Sequence, residues 1–423
     1  MRVKQGSSGY RELINDNANF RNLWFGQVIS LFGDWFTLIA SATLLGELTG
    51  SGMSIGIFFV VRMLAPFLIS PFAGVAADRY NRKWILIFSD IVRAIVVLGF
   101  LFIQSSEQLW LFYLLTFVQL AMHGVFYPTR NAILPDIVLP NEVGTANTIT
   151  GTTWSVMLSL GAAIGGLVAG NWGAPLAFLT DSLTFIFSAI FISKVQYSPN
   201  HLSLSKKNVS SASREYLEGL HYLYKNRDIL IVALHKSALT LTVVGGYEVI
   251  QVAIAKDLFV FGEGGGFTLG MMYAAVGLGS GFGPILARLF TGDSNKPLCR
   301  AILASYVMMA IGLIIASTVH SLTAILLGIF VRALGGGTLW VFSTQLLLNN
   351  TPEHIRGRIF ATEYAMATLC MALSAGTTGW ALEQITVGIP FLLTLMSALV
   401  FIPGTFWAIW ISKFWKVREI EIT

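Results

Sequence analysis

Gly74-Val-Ala-Ala-Asp78-Arg79-Tyr-Asn-Arg82-Lys83 is a short hairpin packed with charge. It joins two apolar runs, each long enough to cross a bilayer. A loop of this kind marks one side of a membrane and is held there by its cations. The spacing Gly-x-x-x-Asp-Arg-x-x-Arg-Lys therefore decides the reading of the whole chain.

Composition agrees with a membrane solvent. Of 423 residues 55% are hydrophobic and 12% charged, with a mean hydropathy of +0.70, whereas soluble domains carry about 25% charged residues. A soluble protein this apolar could not cover its surface, but lipid-facing side chains are apolar by necessity. Eleven Trp and 30 Phe suit spans with interfacial aromatic belts. The net charge of +5 is not a nucleic-acid signal. Cys299 and Cys370 fall in or beside apolar spans, so neither a disulfide framework nor a metal spacing is expected. The polar first 19 residues lack a signal-peptide core.

A crossing helix needs about 20 apolar residues. Breaking the chain at charge, Pro and Gly clusters gives twelve runs, near 20–46, 53–77, 84–104, 109–132, 145–170, 172–194, 229–255, 267–290, 299–318, 321–348, 357–382 and 388–412. Tight turns are required at Asn171–Pro175 and at Val319–Ser321. The expected fold is all-α: a polytopic bundle of twelve transmembrane helices in two pseudo-symmetric six-helix halves. The halves are 1–195 and 229–423, joined by a Ser-, Lys- and Asn-rich linker over 196–228 in which Arg214 to Leu223 reads as an amphipathic surface helix. With the N-terminus inside, 22 of the 27 Lys and Arg lie in inside segments and only Lys256 in an outside loop. That asymmetry places both ends in the cytoplasm. Ser54-Ile-Gly56 is echoed by Thr268-Leu-Gly270, and Pro135-Asp136 by Pro352-Glu353. Half-chain repeats of spans are how many transporters are built.

Gly74 to Lys83, with the span count and the six-plus-six division, resembles the major facilitator superfamily over essentially the whole length. Gly26-Gln27, Ser30, Gly33-Asp34, Asp90-x-x-Arg93, Pro128-x-Arg130-x-Ala132-x-x-Pro135-Asp136, Ala146-Asn147 and Pro352-x-x-x-Arg356-Gly357-Arg358 resemble its bacterial enterobactin-exporter and macrolide-efflux branch. The resemblance implies a monomer in the bacterial cytoplasmic membrane, exporting an amphipathic small molecule by proton antiport with alternating access. One departure stands out. The Gly-Pro-x-x-Gly-Gly element of drug antiporters reads Gly161-Ala162-Ala163-Ile164-Gly165-Gly166, so its proline kink is lost and its support for antiport is weaker. A lysophospholipid or nutrient transporter of the same fold, or a non-transporting sensor or scaffold, are the alternatives. No nucleotide motif, cofactor motif or catalytic constellation is present; Gly262 to Gly266 is a loop, not a phosphate cradle.

A charge inside a span costs at least about 2.5–3.5 kcal/mol and needs a partner, water or a task. Asp34, in the middle of the first span, is the candidate for proton or substrate binding; otherwise it bonds locally to Ser30 or a neighbouring span. Arg62, Glu248, Arg332 and Glu363 complete the candidate pathway. Glu248 follows Gly245-Gly246, where an irregular helix is expected. Arg332 precedes Gly335-Gly336-Gly337, which would loosen its helix. Glu363 is either a coupling residue or captured by Arg356 or Arg358. Asp90 and Arg93, one turn apart, form a structural pair that Asp181 can complete. By resemblance Gly74, Asp78, Arg79, Arg82, Lys83 and Arg130 form the inner gate, with Asp78 and Arg130 paired; the alternative is that they only anchor topology. His123 and His235 read as packed histidines.

Overall fold

The computed structural model describes residues 10–421 apart from 141, 199–220, 292–293, 352 and 385–387. Helices account for nearly all of it: α1 (Tyr10–Asp16), α2 (Ala18–Thr49), α3 (Gly52–Arg79), α4 (Arg82–Gly99), α5 (Leu109–Ile137), α6 (Val143–Ser193), α7 (Arg227–Leu239), α8 (Gly245–Ala253), α9 (Gly266–Thr291), α10 (Asn295–Ser317), α11 (Leu322–Asn350), α12 (Glu353–Gln384) and α13 (Ile389–Glu421). No strand occurs among the described residues. Of the surface helix expected from Arg214 to Leu223, residues 214–220 lie outside the described residues; 221–225 are helical.

Eleven segments among the described residues are long and apolar enough to cross a membrane. One of them, Thr145–Ser193, covers 49 residues and rises about 74 Å, against a hydrocarbon core of about 30 Å. It is broken at Gly173 (φ 78°, ψ 171°), a conformation open essentially to glycine alone. Pro175 follows just inside the next helical stretch, where its missing N–H costs nothing. The tight turn expected at Asn171–Pro175 is thus a single reversed residue, and this segment makes two crossings. The turn near Val319 is equally tight: Val319 itself adopts φ 50°, unusual for a β-branched residue.

Why the helices face as they do is clearest on α4. Asp90 and Arg93 are fully buried, while Trp84, Phe88 and Ile95 on the same helix are more than 60% exposed. A helix with its charges inward and its aromatics outward is stable only where the outer medium is apolar.

By contact the chain divides into two compact units. The first comprises Met1–Thr49, Leu64–Arg214 and Phe261–Gly270, the second Gly50–Met63, Glu215–Val260 and Met271–Thr423. In the first, α2 lies along α6 and α4 packs on α5 and α6, around Phe20, Leu23, Leu86, Ile133 and Leu134. In the second, α10 packs on α11 and α13, and α12 on α7 and α8, around Tyr306, Met309, Leu313 and Trp407. The Trp407 indole donates to the Cys299 carbonyl at 3.0 Å, satisfying a polar atom that lipid could not.

Candidate functional site

The first unit holds a cavity of about 260 Å3 whose wall includes Gln27 and Asp34 of α2, Arg93 of α4, His123 and Arg130 of α5, and Asn147 and Trp154 of α6. Its foundation is Gly33. A Cβ there would overlap Asp181 Oδ1 and Thr184 Oγ1, so only glycine lets α6 bring Asp181 this close. Asp181 is fully buried and accepts from the hydroxyls of Thr37 and Thr184. It is a hydroxyl-bonded carboxylate behind the cavity. The ion pairs of Arg93 run to Asp90 and Asp34, and Asp181 stands behind them within electrostatic reach of both Arg93 and Asp34.

Arg93 is clamped. Its Nη2 donates to Asp90, its Nη1 lies 3.7 Å from Asp34 Oδ1, and its guanidinium sits 4.1 and 4.8 Å from the ring centres of Phe185 and Phe126. Asp90 also accepts from Ser188 at 2.6 Å. Two carboxylates and two rings around one cation meet the cost of burying it. Asp34 differs from the others in keeping 26% of its side chain exposed. His123 Nδ1 stands 4.0 Å from its Oδ2. The local bond to Ser30 is not the one formed, since Ser30 donates to the Gln27 carbonyl. His123 is therefore a neighbour of the candidate carboxylate rather than core filling. Arg130 is 4% exposed, lies 5.2 Å from the Tyr127 ring centre, and its Nη1 has no hydrogen-bond partner among the described residues.

The charged hairpin is anchored through Arg82. That side chain donates to Asp136 at 2.7 Å, to the Ala132 carbonyl at 3.0 Å and to the Ala77 carbonyl at 3.1 Å, tying the ends of α3 and α5 to the start of α4. Asn81 caps α4 by accepting from the Lys83 N–H. Tyr197 donates to Asp136 at 3.1 Å; burial and that carboxylate push its phenol up to about 12. The side chains of Asp78 and Arg79 lie outside the described residues, and with them the expected Asp78–Arg130 pair.

In the second unit the surprise is Lys236. Its Nζ lies 2.7 Å from Glu363 Oε1, donates to Thr344 Oγ1 at 2.8 Å and sits 4.7 Å from the Trp340 ring centre. Glu363 is thus engaged by Lys236; the capture by Arg356 or Arg358 that the sequence suggests falls on side chains outside the described residues. Lys236 was visible in the sequence as a cation within a span, which is signal enough. His235 is packed, its ring bonded to Ser343 and the Val232 carbonyl and lying 4.5 Å from the Trp407 ring centre.

Glu248 accepts from the Tyr273 hydroxyl at 2.5 Å, Arg332 lies 4.0 Å from the Tyr247 ring centre, and Arg62 5.5 Å from that of Phe58. The irregularity expected around Gly245 is present as π turns at Thr240–Val244 and Ile254–Leu258 flanking α8; such wide turns recur at functional sites. The three glycines beyond Arg332 do not break α11, which runs unbroken from Leu322 to Asn350. Gly335 backs onto the Ser305 carbonyl and Gly337 onto Ser280, so here glycine serves close helix approach. Likewise α6 passes through Gly161–Gly166 without interruption.

Residues 23–293 match the model of the Major Facilitator Superfamily. A putative bacilysin exporter, BacE of Bacillus amyloliquefaciens, is 28% identical over 84% of this chain and 87% of its own. The multidrug resistance protein MdtG of Salmonella paratyphi C is 27% identical over 72% of this chain and 73% of its own. Among solved structures, the nucleoside transporter NupG superposes with a TM-score of 0.71 over 93% of this chain and 98% of its own, at 12% identity, a likeness of fold. Inward-facing charges, lipid-facing aromatics and this match over most of the chain lead to one assignment: the protein is a multi-pass membrane transporter and belongs to the major facilitator superfamily.

Proposed function

We propose that this chain is an exporter of an amphipathic small molecule, working as a monomer in a bacterial cytoplasmic membrane by proton antiport and alternating access. The observation that carries the reading is Asp34: a carboxylate in mid-span, partly exposed to a cavity and flanked by Arg93 and His123. A group so placed can take up either a proton or the cationic part of a solute, and one excludes the other. Relatives that are described as exporters and multidrug proteins support the efflux direction. Arg62, Glu248, Arg332 and the Lys236–Glu363 pair are proposed to line or tune the path in the second unit. The Gly74–Lys83 hairpin is proposed as the inner gate, with Arg82 as its fixed end.

The test is flux from purified protein in liposomes under an imposed pH gradient, screened against siderophores, macrolides and lysolipids. Gradient-driven flux is expected in the natural protein and loss of the gradient dependence in D34N. Flux that ignores the gradient refutes antiport. A second reading, lysophospholipid transport, is favoured by an apolar cavity of about 560 Å3 lined by Tyr10, Trp24, Val28, Ile149, Val156 and Met157; saturable lysolipid movement with no response to macrolides or siderophores would select it.

A further inference from the structure

The chain stays ordered beyond the end of α6. After Ser193 the Lys194 and Val195 N–H groups donate to the carbonyls of Phe191 and Ile192. The residues that follow open the polar stretch whose composition reads as a linker, and they are tied down. Val195 is 1% exposed and belongs to the same buried cluster as Leu13, Ile133 and Ile137. The Gln196 N–H donates to Asn19 Oδ1 at 2.8 Å. The Tyr197 hydroxyl donates to Asp136 Oδ2 at 3.1 Å, while the residue packs against that cluster.

A plain connector needs none of this. Ordering a residue costs backbone entropy, and a tether that only has to span a distance can stay loose. The anchors also sit on different helices, Asn19 on α2 and Asp136 on α5. The oxygen that Tyr197 reaches is the one that accepts from Arg82 Nη1 at 2.7 Å. Arg82 in turn holds the end of α3 through the Ala77 carbonyl at 3.1 Å. The Asp136 side chain is 38% exposed, so burial does not fix its direction. Its two donors do, and one of them comes from the linker.

We propose that residues 195–197 are a strap through which the linker acts on the Gly74–Lys83 hairpin, with Tyr197 as the positioning residue that holds Asp136 toward Arg82. The inference rests on the reading of that hairpin as the inner gate, and it is independent of the solute and of the coupling ion. A displacement of the linker reaches the hairpin through Tyr197, Asp136 and Arg82. It reaches α2, the helix that carries Asp34, through Gln196 and Asn19.

The experiment is hydrogen–deuterium exchange, read by mass spectrometry, on the full chain in phosphatidylcholine nanodiscs. The proteins are the natural chain, Y197F, R82Q and the double variant. The segments followed are 194–198 and the hairpin amides of Tyr80, Lys83 and Ile85, which are bonded to Ala76, the Asn81 side chain and the Asn81 carbonyl; α10 serves as the reference. In the natural protein residues 194–196 should exchange about tenfold or more slowly than an unstructured peptide of the same sequence. Y197F should speed exchange of the hairpin several-fold and leave α10 unchanged. Because both donors meet on one oxygen, adding Y197F to R82Q should change the hairpin by about twofold or less. Exchange of 194–196 at the unstructured rate overturns the strap. Hairpin exchange unmoved by Y197F overturns the coupling and leaves a local bond, and equal acceleration of α10 overturns it as a general loss of stability. A hairpin loosened by Y197F together with intact flux in R82Q would instead remove the gate reading and leave the strap standing.

Discussion

Replacing Lys236 by Met strands the Glu363 carboxylate in the second unit. The two side chains are only 2% and 6% exposed, with Nζ and Oε1 2.7 Å apart, so water cannot take over from the lost partner. Breaking a buried pair from one side costs about 3–5 kcal/mol, because an uncompensated charge stays behind. With about 2.1 cal/mol/K of unfolding entropy per residue, a chain of 423 residues unfolds with roughly 0.9 kcal/mol/K, so K236M should melt about 3–6 °C lower. E363Q should cost a comparable amount by stranding the ammonium. The double variant K236M/E363Q leaves no charge and should recover most of the loss, a coupling that only groups in contact produce. The assay is tryptophan-fluorescence melting in detergent of all four proteins. Two single variants that each melt within about 1 °C of the natural protein, or losses that simply add in the double variant, would refute the view that this pair is buried and mutually dependent.

Gly33→Ala places a Cβ where Asp181 and Thr184 already stand; overpacking of this kind costs about 1–3 kcal/mol and should lower the melting temperature, and an unchanged melt would contradict the close approach of α2 and α6. Arg82→Gln removes a partly exposed pair, 12% and 38%, worth at most about 1 kcal/mol, and its donations to the Ala132 and Ala77 carbonyls, worth about 1 kcal/mol each; melting should fall by a few degrees and liposome flux should fall at temperatures where the variant is still folded, and intact flux there would end the gate proposal for this residue. Tyr197 holds its proton up to about 12, above its ordinary 10.0, so its contribution to stability is fully present below pH 10 and is lost as pH rises from 10 through 12. Tyr197→Phe should therefore flatten the stability curve between pH 10 and 12 and leave its shape below pH 10 unchanged, as melts over that range would reveal.

The spans were legible because the bilayer demands long apolar runs, and the hairpin from Gly74 to Lys83 because charge between such runs has one interpretation. Asp34 was legible for the same reason: a carboxylate among Leu, Phe and Trp is conspicuous. What stayed hidden was pairing. For Glu363 the sequence offered only the neighbouring Arg356 and Arg358, whereas Lys236, the partner seen among the described residues, is 127 positions away and meets it only through the packing of α7 on α12. His123 read as filling because nothing local places it beside Asp34, 89 positions earlier. The glycines at 335–337 were read for their weakness in an isolated helix. In a packed bundle the same missing side chain lets α9 and α10 close on α11, and contact outweighs propensity.

The two charged clusters differ in a way that bears on which of them exchanges anything. A buried ion can give up a proton or a solute only if water or the solute reaches it before the charge is left alone, since a bare charge in low dielectric is prohibitively unfavourable. In the second unit both members of Lys236–Glu363 are closed off and further held by Thr344 and Trp340, so exchange there requires α7 to part from α12. In the first unit the innermost members, Asp90 and Arg93, are as closed as that pair, but the series ends at Asp34, which has one face on the cavity. Charge lost or gained at Asp34 is felt through Arg93 by Asp90, deep between α4 and α6. An exposed end joined to a buried core is what coupling between ligand and helix packing requires, which is the ground for proposing the exchange step at Asp34 and, for Lys236–Glu363, a part that tunes the packing of its own unit.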